Sequence, residues 1–199
     1  MASHFTPQTI NHASRKATQE GRAHVSPTSL GALVERLTAL AQTPSLEELK
    51  RWLQEVEVEE GELRPFIGFK SGTYARHRVF RSEFVELLVL CWRPGQQTPI
   101  HDHNGSYGMV RVCEGVMWET LFEMRDDGLR YLRAREWRPS ETTGADVPDI
   151  HQLGNPEVSG QDLITLHLYA PPLGSINTYR LGRTESVSTL WLNSWNPTI

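Results

Sequence analysis

The chain has 199 residues, a formal charge of −4 with acidic and basic side chains interspersed, and only two cysteines. That length suits one domain with a substantial core, and the charge balance excludes the basic footprint that nucleic acid or an anionic membrane surface demands. No stretch approaches the roughly 20 apolar residues that cross a bilayer, and the N-terminus lacks the apolar core of a secretory signal, so a soluble, cytoplasmic protein is expected.

Residues 1–25, rich in Ser, Thr, His, Gln and Ala, read as a flexible tail ahead of a single domain over 26–199. Ser26-Pro27 resembles a helix cap with a first-turn proline, and Leu30, Leu33, Val34, Leu37 and Leu40 follow at helical spacing. A second helix is expected from Ser45, where Glu48 completes a capping-box pattern ahead of Leu46, Leu49, Trp52, Leu53 and Val56. Both helices fall within about 26–58. From Tyr74 the pattern changes to short β-branched and aromatic runs separated by Gly, Pro, Asn and Asp. Strands are expected at 76–81, 83–92, 101–103, 107–114, 116–124, 129–137, 150–153 and 163–169, within a β region of about 64–185. The fold class is therefore mainly β, a sandwich or barrel with the helices packed on one side. Cys91 and Cys113 lie in apolar runs without metal-ligand spacing and read as buried free thiols of a reducing compartment.

His101-Asp102-His103 carries the chemistry. In an extended chain alternate side chains share a face, so the two imidazoles project together while Asp102 points away. His151, well downstream, is a third candidate ligand. The run from Gly95 through His101 and His103 to Gly115 resembles the first cupin motif, and His151 with Asn155 keeps part of the second. The glutamate ligand usual in the first motif is replaced by Gly108. The resemblance thus implies a cupin-type jelly roll whose metal site is three neutral histidines with no carboxylate. Such a set suits Fe(II), which accepts imidazole and six-coordination, while catalytic zinc stays open as an alternative.

An ordered set of segments over residues 74–172 resembles the cysteine dioxygenases, thiol dioxygenases within the cupins. The segments are Tyr74-Ala75-Arg76, Leu90-Cys91-Trp92, Pro99 to His103, Asp149-Ile150-His151 and Thr165 to Pro172. The resemblance implies Fe(2+) held by His101, His103 and His151, with L-cysteine and O2 as substrates, cysteine sulfinic acid as product and a place in cysteine catabolism. Partners are then small molecules only, with no nucleic acid and no membrane, and a monomer is expected.

Tyr74 and Arg76 share a face of an extended segment, and the Arg76 guanidinium offers the planar fork that matches a substrate carboxylate. Thr165, His167 and Tyr169 alternate with leucines, which suggests a hydrogen-bonded relay with Tyr169 directed at the reacting sulfur and dioxygen. By the resemblance His167 supports Tyr169 and does not bind iron. Trp92 is expected in the pocket wall. Animal members carry a cysteine at the place of Gly108, crosslinked to the tyrosine matching Tyr169, so here Tyr169 is expected to be a free phenol. Relatives that oxidise 3-mercaptopropionate often have glutamine in place of Arg76, which favours cysteine over that alternative. A non-catalytic metal-binding cupin is the alternative from a different class.

Overall fold

A computed structural model describes residues 28–145 and 149–190. The expected tail and the Ser26-Pro27 cap lie outside them. Helix α1 (Leu30–Thr38) is capped by Ser29, whose hydroxyl accepts from the Ala32 amide at 3.1 Å. Helix α2 (Leu46–Glu55) begins on the expected capping box: the Ser45 hydroxyl accepts from the Glu48 amide and the Glu48 carboxylate from the Ser45 amide. A third, unexpected helix, α3 (Glu60–Leu63), is only four residues long, too short to register a helical period. Its Glu62 carboxylate accepts from the Leu30 and Gly31 amides at the start of α1.

Eleven strands follow among the described residues: β1 (Ala75–Arg81), β2 (Glu86–Trp92), β3 (Ile100–Asp102), β4 (Tyr107–Glu114), β5 (Met117–Arg125), β6 (Gly128–Trp137), β7 (Thr142–Ala145), β8 (Ile150–Gly154), β9 (Leu163–Ala170), β10 (Ser175–Tyr179) and β11 (Ser186–Leu190). The eight expected strands are present. The strand expected from 83 starts at Glu86, because Ser82 forms a turn whose hydroxyl accepts from the Phe84 and Val85 amides. Strands β7, β10 and β11 were not anticipated and extend the β region to 190, past the expected 185. Thr142-Thr-Gly-Ala has no alternating large apolar residues, and β11 is exposed throughout, so neither carries a buried-face signal.

The strands form two antiparallel sheets, ordered β1-β2-β9-β4-β7 and β11-β10-β3-β8-β5-β6. Alternation divides the first sheet into two chemically distinct faces. Leu87, Val89 and Cys91 of β2, with Ile164, Leu166 and Leu168 of β9, point outward and bury the apolar stripes of α1 and α2. Leu88, Leu90 and Trp92, with Val110, Val112, Leu163 and Tyr169, point inward and meet Met117, Leu153 and Ile176 of the second sheet. Strands β2 and β9 are thus buried on both faces, which accounts for their nearly continuous apolar runs. This is the mainly β architecture with helices on one side that the sequence led us to expect. Cys91 is buried as anticipated, whereas Cys113 near the end of β4 is only half-buried; both thiols are free.

Two glycines are required by close approach. Gly115, in the β4–β5 turn at φ +77°, lies where a Cβ would meet the Asp162 carbonyl oxygen at 2.4 Å. Gly108 faces inward opposite Tyr169 in the β4–β9 register, and a Cβ there would lie 2.6 and 2.8 Å from two carbons of the Tyr169 ring. Because that ring is buried, Gly108→Ala is expected to lower stability by about 1–3 kcal/mol, the usual cost of overpacking. Urea denaturation measures this; an unchanged midpoint would show that the ring has room to move.

Candidate metal centre

The shortest inner strand places the key side chains. On β3, His101 lies directly opposite His151 of β8 in the antiparallel register, so both imidazoles leave the sheet on its inner face. His103 follows at the mouth of a tight turn, where the Ser106 amide donates to the His103 carbonyl oxygen at 3.1 Å. The three ring centroids are 4.8–5.2 Å apart. A ligand nitrogen from each ring lies within 4.8 Å of the other two, and all three residues are buried.

Burial sets the charge state of these rings. It pushes the His101 imidazolium down to about 3, reinforced by neighbouring His151, and holds His103 well below the usual histidine range with help from His151 and His101. Both are neutral near pH 7, as metal ligation requires. His101 donates its Nδ1–H to the Pro99 carbonyl at 3.0 Å, leaving Nε2 with a lone pair. His151 Nε2 is buried without a hydrogen-bond partner among the described residues. A buried imidazole nitrogen left open beside the neutral rings of His101 and His103 fits a divalent metal.

Asp102 points to the opposite face, as expected. Its carboxylate accepts from the Tyr179 hydroxyl at 2.5 Å, from Asn177 Nδ2 at 3.0 Å and from the Asn104 amide at 2.8 Å.

The other anticipated residues collect beside the histidines. Tyr74 stacks on Trp92 with ring centroids 4.2 Å apart, and the Arg76 guanidinium lies 5.7 Å from the Tyr74 ring centroid. Trp92 is fully buried behind Tyr74, and its indole N–H donates to Thr165 Oγ1 at 3.0 Å. The Thr165 hydroxyl lies 2.8 Å from His167 Nε2, and His167 Nδ1 lies 3.1 Å from the Tyr169 hydroxyl. The Tyr169 ring centroid is 5.2 Å from that of His103. Burial pushes His167 down to about 3 and raises the Tyr169 phenol above its ordinary value, with Tyr74 adding to the latter and Arg76 opposing it. At neutral pH His167 is therefore uncharged and Tyr169 keeps its proton.

Two acidic residues that sequence reasoning missed are buried here. Glu119 on β5 accepts from His151 Nδ1 at 3.1 Å, Trp137 Nε1 at 2.8 Å and Thr143 Oγ1 at 2.9 Å. Burial opposes its ionisation, but the hydrogen bond and charge attraction from His151, then the bonds from Thr143 and Trp137, hold the carboxyl below its ordinary range. Glu86, on the inner face of β2, accepts from Arg78 Nε at 3.2 Å and Arg81 Nη1 at 2.9 Å. For Glu86 the available signal was a lone carboxylate at an inward-facing position of an otherwise apolar strand, ahead of Leu88 and Leu90; Glu119, on a strand that also carries Thr120, Glu123 and Arg125, has only Met117 and Leu121 flanking it at alternate positions.

A family model described as cysteine dioxygenase type I matches residues 20–181. The chain is 28% identical over 178 residues to cysteine dioxygenase type 1 of Danio rerio, covering 84% of this chain and 88% of that protein. It is 26% identical over 173 residues to the Rattus norvegicus protein of the same name, covering 82% and 86%. Among solved structures, a cupin with a double-stranded β-helix fold from Methanocaldococcus jannaschii aligns at TM-score 0.41 and 20% identity, over 52% of this chain and 87% of that one. With the model matched across most of its length, the chain belongs to the cysteine dioxygenase type I family.

Proposed function

We propose that the protein is an Fe(II)-dependent dioxygenase that converts the thiol of L-cysteine to the sulfinic acid with O2. The observation that carries this reading is the convergence of three buried imidazoles, His101, His103 and His151, without a carboxylate ligand, with Tyr169 against His103. Fe(II) held by His101, His103 and His151 would supply the centre at which thiol and dioxygen meet, lowering the thiol pKa as it does so. In the overall reaction sulfur loses four electrons, dioxygen accepts them as its O–O bond breaks, and two S–O bonds form.

Arg76 binds the substrate carboxylate through its planar fork. Its position is set from behind: Trp92 supports Tyr74, and the Tyr74 ring underlies the guanidinium. The preference for cysteine over 3-mercaptopropionate, which carries a carboxylate too, rests on the family resemblance, in which the relatives that oxidise 3-mercaptopropionate often have glutamine in place of Arg76.

The direction of the relay follows from counting protons. Trp92 Nε1–H only donates, so Thr165 Oγ1 accepts from it and passes its own proton to His167 Nε2. Neutral His167 then carries its single proton on Nδ1 and donates it to the Tyr169 oxygen. The reverse direction would place two donors on Thr165 and leave its buried hydroxyl proton without an acceptor among the hydrogen bonds of the described residues. In the favoured direction the Tyr169 proton is free to be donated to the reacting sulfur and oxygen atoms, and the phenol excludes a competing water.

Protein loaded with Fe(II) and given L-cysteine and O2 is expected to form cysteine sulfinate, detected by mass spectrometry, and to consume O2 with L-cysteine more efficiently than with 3-mercaptopropionate. Cystine as the sole product would overturn the dioxygenase reading, and a preference for 3-mercaptopropionate the substrate. Arg76→Ala should lower kcat/KM for cysteine by about 10- to 150-fold, the span of a lost hydrogen bond to a charged group; an unchanged value removes the carboxylate role.

The folded protein holds His167 at about 3, below the ordinary value near 6.5. Its contribution to stability is therefore complete above about pH 6.5 and is lost as pH falls toward 3, because the unfolded chain takes up a proton that the folded chain refuses. Denaturant titrations between pH 6 and 4 should show a slope of stability against pH smaller in His167→Gln than in the parent by up to one proton, about 1.4 kcal/mol per pH unit. Equal slopes would mean that His167 is charged in the fold.

A further inference from the structure

Glu119 sits where two sheets and the metal centre meet. It projects inward from β5 and lies diagonally across the β5–β8 pairing from His151, since its own register partner is Leu153 while His151 faces Leu121. Trp137 approaches from β6 on the other side, opposite Met117, and Thr143 reaches across from β7 of the facing sheet. The residue is 4% exposed. A buried carboxylate is expensive unless each oxygen is satisfied, and here both are: Oε1 by His151, Oε2 by Trp137 and Thr143.

We propose that Glu119 is a positioning residue for the metal centre: it holds the Nδ1 proton of His151, so that Nε2 is the nitrogen presented to the metal, and it supplies nearby the negative charge that the three-histidine ligand set lacks. An ionised carboxylate only accepts, so the Nδ1 atom 3.1 Å away is the donor. A ring whose Nδ1 proton is held by an acceptor meets a metal through Nε2, and Nε2 is the buried atom of His151 left without a hydrogen-bond partner among the described residues. One ring thus has its two nitrogens divided between a fixed acceptor and an open face. Glu119 stands outside the group of His101, His103 and His151 and meets it through the hydrogen bond to His151 Nδ1.

This inference rests on the metal-binding reading above, and the test keeps the two apart. Zn(II), a diamagnetic probe, is titrated into metal-free parent, Glu119→Gln and Trp137→Phe proteins. Glutamine keeps the shape of the side chain but has one acceptor oxygen. Its amide N–H2 faces either His151, forcing the proton onto Nε2, or the Trp137 N–H. Glu119→Gln should bind Zn(II) 10- to 100-fold more weakly than the parent. Trp137→Phe removes a hydrogen bond from the same carboxylate but leaves the one to His151, and should bind within a few-fold of the parent. A purely structural carboxylate would make both variants lose metal alike, and equal affinity of Glu119→Gln and parent would overturn the proposal. Failure of the parent itself to bind Zn(II) would instead overturn the metal site. Should Glu119→Gln not fold, nitrogen NMR of the Zn(II)-loaded parent decides: His151 protonated at Nδ1 and bound through Nε2 is expected, and binding through Nδ1 would overturn the assignment.

Discussion

The pairing of β3 with β8 is the constraint on which the site depends. Direct opposition of His101 and His151 fixes two of three imidazoles by backbone register, before any side-chain preference acts. Register in a half-buried sheet resists slippage, since a shift by one residue would turn every inward side chain outward. The third imidazole, His103, is then placed by the turn that ends at Ser106. Around this frame the interior must accommodate an unusual load of polar groups. Thr165, His167 and Glu119 are each buried, and each is matched to a specific donor or acceptor.

Those polar groups are organised as two separate hydrogen-bonded chains, one along the first sheet and one that bridges the two sheets. On the first, Trp92, Thr165, His167 and Tyr169 form a line whose last member abuts His103. In the bridging chain, Trp137 of the second sheet and Thr143 of the first converge on Glu119, which reaches His151. Each begins at an indole N–H, a donor that cannot reverse its role, and each ends beside an imidazole. A rigid donor at the origin gives every later proton a defined place, which hydroxyls and carboxylates alone do not provide.

Much of this was legible in the sequence because it depends on alternation. His101 and His103 around an outward Asp102, and Thr165, His167 and Tyr169 between leucines, are period-two patterns, and the structure keeps them on the inner face. The capping box at Ser45 was equally local. What escaped were features set by pairing between distant segments. Glu119 meets His151 and Thr143 from strands 32 and 24 positions away, and nothing near it in the sequence announces those partners. Strands β7, β10 and β11 escaped for a related reason: they lie at or next to sheet edges, are joined through backbone hydrogen bonds and bury few apolar side chains. Gly108 was read from a motif as a missing ligand; its packing role became visible only when Tyr169 was placed above it.

Asp102 carries a mechanical consequence. Strand β3 has only three residues, paired with β8 on one side and β10 on the other. Its outward carboxylate also grips Tyr179 and Asn177 of β10, the inner strand of the edge hairpin with β11. The metal strand is thus bolted from behind to the C-terminal part of the fold. Disturbance of that hairpin would travel to the histidines through this carboxylate and through the β3–β10 pairing, in which Thr178 faces His101, making a solvent-facing edge part of the machinery that sets ligand geometry.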